Sequence, residues 1–197
     1  METILYPVLG YFLGALPFGL WITRLVKGVD IRDGGSGHVT TTNTIRQAGW
    51  LPGIIVLLLD IGKGFLPTYL AFQAGLPDWA VALTGAMTVT GHCWPIFAQF
   101  RGGMGLATTG GSYLAISVLA FPIGMGVLIA LTLIIRHSAR AAFFAAFAIP
   151  LALLLFGQVG TVLMVSIATS IIIAIRFTID WNREYRELWL DRDQKAE

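Results

Sequence analysis

Residues 30–49 read DIRDGGSGHVTTTNTIRQAG, a polar interval set between two long apolar segments. It holds four glycines, Ser36, four threonines, Asn43 and Arg46. Glycines let backbone N–H groups converge on an anion, hydroxyls add donors, and an arginine offers a two-pronged fork for phosphate or carboxylate. Composition alone leaves a flexible, solvated loop equally open. The flanks decide the fold. Residues 4–26 and 51–72 are apolar over lengths that cross a bilayer.

The rest of the chain agrees. Of 197 residues, 56% are hydrophobic and 12% charged, against about 25% charged in a soluble domain. That is too much apolar side chain for one globular interior, so residues 1–197 read as a single integral membrane domain. A net charge of +2 with no basic tract argues against nucleic acid. Cys93 is alone, which excludes an internal disulfide, and it reads as buried filler. The N-terminus turns apolar at once behind Glu2, without a basic region. A retained first span is expected there rather than a cleaved signal.

Further spans are expected at about 79–97, 111–135, 141–156 and 159–175. Residues 111–135 suit either one long helix or two short ones broken near Phe121 and Pro122. Two helices of about fourteen residues reach only roughly 21 Å each, short of the ~30 Å core. They nevertheless return Arg136, His137 and Arg140 to the side bearing Arg24, Lys27, Arg32, Arg46 and Arg101. With the split, the expected fold is all-α and polytopic, with seven transmembrane helices and the N-terminus outside. The tail, with Trp181, Tyr185, Leu188 and Trp189 at helical spacing, suits an interfacial amphipathic helix carrying Arg183, Arg186, Arg192 and Lys195.

A second polar stretch, QFRGGMGLATTGG at residues 99–111, repeats the mix of glycine, hydroxyl and one arginine. Both stretches follow odd-numbered spans and share a membrane face, where together they can form a pocket. Asp60 and Lys63 lie inside the second span on one helix face, suited to pair. Charges at that depth face protein or an aqueous cleft, and either packing or the active site accounts for them. His38, His92 and His137 lack ligand-like spacing, so no metal site is expected.

Four pieces taken together carry a resemblance: GALPFG at 14–19, the stretch at 30–49, DIGKG at 60–64 and GHCWPIFAQFRGGMG at 91–105. In order and separation they resemble the bacterial membrane glycerol-3-phosphate acyltransferase family that uses acyl phosphate. The resemblance implies transfer of a fatty acyl group from acyl phosphate to glycerol 3-phosphate, giving lysophosphatidic acid and phosphate in phospholipid synthesis. It implies no cofactor, a multi-pass protein of the bacterial inner membrane with cytoplasmic loops, contact with membrane lipids, and a monomer. Ser36 and Arg46 fall on the family's serine and arginine. Gly35, Gly37, Asn43, Arg101, Gly102 and Gly103 are expected to bind phosphate or substrate. His38, Asp60, Lys63 and His92 are expected to support the site.

Several positions depart from the family pattern. His38 replaces an asparagine, Met104 a lysine, Phe177 a histidine and Asp180 an asparagine. Methionine supplies no cation, and a carboxylate beside a phosphate repels it unless paired. His38 or Arg101 is expected to make good the missing charge. Two rival readings stay open: a silent paralogue that binds lipid, phosphate or a membrane partner, and a small transporter, although no inverted repeat is visible.

Overall fold

The computed structural model describes residues 1–182. Tyr185, Leu188 and Trp189 and the tail cations from Arg183 onward, and with them the amphipathic tail helix, lie outside the described residues. Trp181 is described, and its ring packs edge-on against Phe143 and Phe144. Among the described residues the regular structure is helical, with no strand.

The first span is two helices, α1 (Glu2–Gly14) and α2 (Phe18–Lys27). Proline has no N–H and drives the residue before it out of the helical region. Pro17 therefore breaks the expected single helix and caps α2. Gly28, at φ 71°, closes α2 in the left-handed conformation. The polar stretch is not all loop. Thr40 accepts a hydrogen bond from the Asn43 amide and starts α3 (Thr41–Ala48).

Next come α4 (Trp50–Gln73) and α5 (Asp78–Cys93). The split after the second polar stretch is present, but the boundaries differ from expectation. Helix α6 (Leu106–Ile116) begins earlier, and the break falls at residues 117–119. Pro122 sits in the first turn of α7 (Ala120–Ile135), where its missing N–H does no harm. The last two helices, α8 (Ser138–Leu155) and α9 (Thr161–Ile179), are longer than expected.

Four segments are long and apolar enough to cross a membrane: Glu2–Lys27, Trp50–Gln73, Ser138–Leu155 and Thr161–Ile179. Outward-facing side chains such as Leu58, Leu133, Phe147 and Ile171 are exposed, as a lipid-facing surface requires. Lipid gives apolar side chains little reason to associate, so helices meet through close approach. Helix α5 lies at the centre, with eleven of its sixteen residues buried. It packs on α1, where side chains at Gly10 and Gly14 would strike Thr84 and Thr88. Helices α4 and α6 meet the same way. A Cβ at Gly64 would strike the Thr108 carbonyl, and one at Gly111 the Ile61 carbonyl. These contacts bring the loops after α2 and α5 to one end of the bundle.

Candidate active site

The first loop is fastened at both edges. Asp30 pairs with Arg32 at 2.7 Å and Arg24 at 3.0 Å. The Arg32 side-chain hydrogen bond holds the Asp30 carboxyl well below the usual carboxylate range. Arg32 also donates to the Ala98 carbonyl at 3.0 Å, reaching the second loop. Within the loop, Asn43 is 0% exposed. Its amide donates to the carbonyls of Ile31, Gly34 and His38, and its oxygen accepts from the Ser36 amide at 3.2 Å. Gly35 and Gly37 have φ of 57° and 68°, and a side chain at Gly35 would strike the Asn43 oxygen.

The two loops are joined directly. The Val39 amide donates to the Gly102 carbonyl at 3.1 Å, and Gly103 donates to the His92 carbonyl at 3.0 Å. Helix α9 fastens them from behind. Arg176 donates to the Gly103 carbonyl at 2.9 Å and lies 3.5 Å from Asp180. Asp180 in turn meets Nε2 of His38 at 3.1 Å. The carboxylate that looked hostile to phosphate is therefore paired from two sides.

A cavity of about 440 Å³ lies under these loops. Ser36, His38, Arg46, Asp60 and His92 all line it, with the hydroxyl run Thr40, Thr41 and Thr42 beside them. The rest is apolar: Leu57 and Ile61 from α4, Leu106 from α6, and Phe121, Met125 and Leu128 on one face of α7. Met104 and Phe177 also line it. The N-terminal turns of α3 and α6 open on the cavity and add positive field without a charged side chain. Arg46 contributes the full positive charge, and its Nε is buried without a hydrogen-bond partner among the described residues.

Some expected ligands lie elsewhere. Arg101 is exposed, contacts the Arg32 carbonyl at 3.4 Å and does not line the cavity. Gln99 and Phe100 adopt φ of 56° and 60°, an unusual pair for non-glycine residues, just before it. Of the two candidates for the missing charge, only His38 is at the cavity. Gly35, Gly37, Gly102 and Gly103 shape the loops without lining the wall. Asn43, grouped by the sequence with the phosphate ligands, has its amide hydrogen-bonded to loop backbone, so it holds the loop. The expected Asp60–Lys63 pair forms at 2.8 Å, with both side chains 4% exposed. Lys63 also takes the Leu16 carbonyl freed at the Pro17 break, at 3.0 Å. It stays behind the wall that Asp60 lines. Sequence reasoning missed Thr41, Thr42 and Ser138 as lining residues. The threonine run after the glycines was the available signal for the first two.

Asn43→Ala is expected to undo the shape of the first loop without removing any side chain that lines the cavity. Each buried partner left unsatisfied costs about 1–3 kcal/mol, and the Ser36 amide is one of them. The check is binding of inorganic phosphate as a probe anion, with circular dichroism on the same sample. Lost binding with helix content intact is the expected result. Unchanged binding would mean that the loop holds its shape without this amide.

Residues 4–186 match the family model described as glycerol-3-phosphate acyltransferase. A glycerol-3-phosphate acyltransferase of Parasynechococcus marenigrum is 35% identical over 179 residues, covering 89% of this chain and 83% of that protein. One from Rubrobacter xylanophilus is 39% identical over 161 residues, covering 80% and 79%. Among solved structures, the chain is similar to PlsY (YgiH), an integral membrane glycerol 3-phosphate acyltransferase, in its glycerol 3-phosphate form. The TM-score is 0.81 at 34% identity, over 93% of this chain and 92% of that one. The lysophosphatidic acid form gives 0.80 at 33%.

Proposed function

The chain belongs to the glycerol-3-phosphate acyltransferase family, and on that premise we propose how its cavity works. The protein is an integral membrane enzyme that acylates glycerol 3-phosphate in phospholipid synthesis. Its donor is acyl phosphate. The observation that carries this reading is the two-sided cavity, with hydroxyls and Arg46 on one wall and an apolar slot on the other. A donor with an anionic head and a hydrocarbon tail needs that combination.

In the reaction a free hydroxyl oxygen of glycerol 3-phosphate attacks the acyl carbonyl carbon. The new ester C–O bond forms as the C–O bond to phosphate breaks. Phosphate leaves with the bonding electron pair, and the hydroxyl proton passes to a phosphate oxygen. Acyl phosphate is already activated, so no protein nucleophile is needed. The protein contributes placement and charge stabilisation. Arg46 and the α3 N-terminus hold phosphate, and Ser36 contacts the reacting donor. Asn43, Gly35 and Gly37 keep the first loop in shape. Gly102 and Gly103 do the same for the second. Arg101 guides anions from outside the cavity.

The helices supply seven crossings if α1 and α2 count as one broken span and α4 to α9 as six. The N-terminus is then outside, and Arg24, Arg32, Arg46, Arg101, Arg136 and Arg140 fall on the cytoplasmic side of the inner membrane. The chain acts as one domain and as a monomer.

The test is lysophosphatidic acid formation by purified protein in lipid, from palmitoyl phosphate and labelled glycerol 3-phosphate. Product is expected with palmitoyl phosphate and not with palmitoyl-CoA. Product with acyl-CoA alone would overturn the donor. No product with either, from folded protein, would leave a silent lipid- or phosphate-binding relative, the reading that Met104 and Phe177 in the cavity wall favour.

A further inference from the structure

His92 is a buried histidine that the reaction as written does not use. It is 6% exposed and lines the cavity at the end of α5. Its Nδ1 faces Asp60 at 3.6 Å, on the same carboxylate oxygen that Lys63 holds at 2.8 Å. Its Nε2 has no hydrogen-bond partner among the described residues and, unlike Nδ1, is not sealed from solvent. The atom therefore reaches the cavity surface. Gly103 keeps it open, because a side chain there would strike Nε2.

Three charged groups surround the ring. Asp60 and Lys63 come from α4, and Arg176 comes from α9. Lys63 neutralises Asp60, so the carboxylate does not call for a second full cation. It still favours the imidazole proton on the nitrogen that faces it, Nδ1. Nε2 is then a lone-pair acceptor. Such an atom bonds a hydroxyl and gains nothing from a fully deprotonated phosphate oxygen.

We infer that His92 Nε2 is the hydroxyl subsite of the acceptor. It accepts a hydrogen bond from a glycerol hydroxyl, while Asp60, beside Nδ1, favours the tautomer that leaves Nε2 able to accept. The phosphate end of the acceptor lies on the Arg46 side. This rests on the reading that the acceptor is glycerol 3-phosphate and assigns one group to one part of it.

The experiment compares glycerol 3-phosphate with methyl phosphate, the phosphate control, both as dianions above their second pKa, binding to the full chain in nanodiscs without donor. Wild-type protein is expected to prefer glycerol 3-phosphate. In His92→Leu that preference should shrink about five- to tenfold, the worth of one neutral hydrogen bond, with phosphate affinity unchanged. His92→Gln, whose amide oxygen also accepts, should recover part of it. A preference unchanged in His92→Leu, equal loss of both ligands, or no preference in the wild type would each overturn the inference. A readout that needs no variant is the imidazole nitrogen NMR signal of the wild type. Its Nε2 resonance should move with glycerol 3-phosphate and stay put with phosphate, and equal shifts with both would also overturn the inference. Failure of the function reading looks different: the binding preference would survive while acyl phosphate yields no lysophosphatidic acid.

Discussion

Arg46→Ala is expected to lower lysophosphatidic acid formation by about a hundredfold or more, the usual cost of one well-placed donor to developing charge. The guanidinium lines the cavity, and its Nε has no hydrogen-bond partner among the described residues. No lysine or other arginine lines the cavity among them. Removing it leaves the phosphate of glycerol 3-phosphate to be held by helix N-termini, hydroxyls and His38. Arg46→Lys should recover only part of the rate, since an ammonium lacks the planar fork. The measurement is kcat/KM for each substrate, with thermal unfolding to show that the fold stands. A loss below tenfold would move the phosphate site away from α3.

The second large effect concerns stability. Lys63→Met is expected to cost about 3–5 kcal/mol, because it strands the Asp60 carboxylate away from water. Both side chains are 4% exposed, so solvent does little to soften the loss. The double variant Asp60→Leu, Lys63→Met should be clearly milder, since no charge is left alone. It will not be neutral: the Leu16 carbonyl loses Lys63, though it keeps the Phe18 amide at 3.1 Å. Denaturant titration in detergent checks the order. Equal damage from both single variants and the double would show that the pair does not stabilise the bundle.

The parts of this molecule that were legible in its sequence are those set by local pattern. Apolar length revealed the four long apolar segments, and the three-residue spacing of Asp60 and Lys63 revealed their pairing. The close contact of α1 with α5 leaves only a slight local trace, Gly10 and Gly14 four residues apart in a chain with 23 glycines. What stayed hidden depends on partners far along the chain. Nothing local marks the His38–Asp180 contact, because the two residues meet only when α9 packs behind both loops. Arg101 looked like the second loop's cation by composition. Its direction depends on the backbone at Gln99 and Phe100, which a residue list does not encode. Asn43 looked like a ligand because an amide in a glycine loop serves either substrate or backbone, and only the hydrogen-bond partners tell which.

Helix α6 has eleven residues, roughly 16 Å of rise, about half the hydrocarbon thickness. If α6 and α7 cross as proposed, the turn between them is non-helical backbone that lipid alone cannot satisfy. Ser117 in that turn donates to the side chain of Gln158, between α8 and α9, at 2.7 Å. The consequence falls on biogenesis. As the chain leaves the ribosome, the α6–α7 hairpin is made before the residue that covers its tip. On that topology the tip lacks its Gln158 partner until synthesis has passed residue 158. Truncated chains ending before that point would be the natural substrates of membrane quality control.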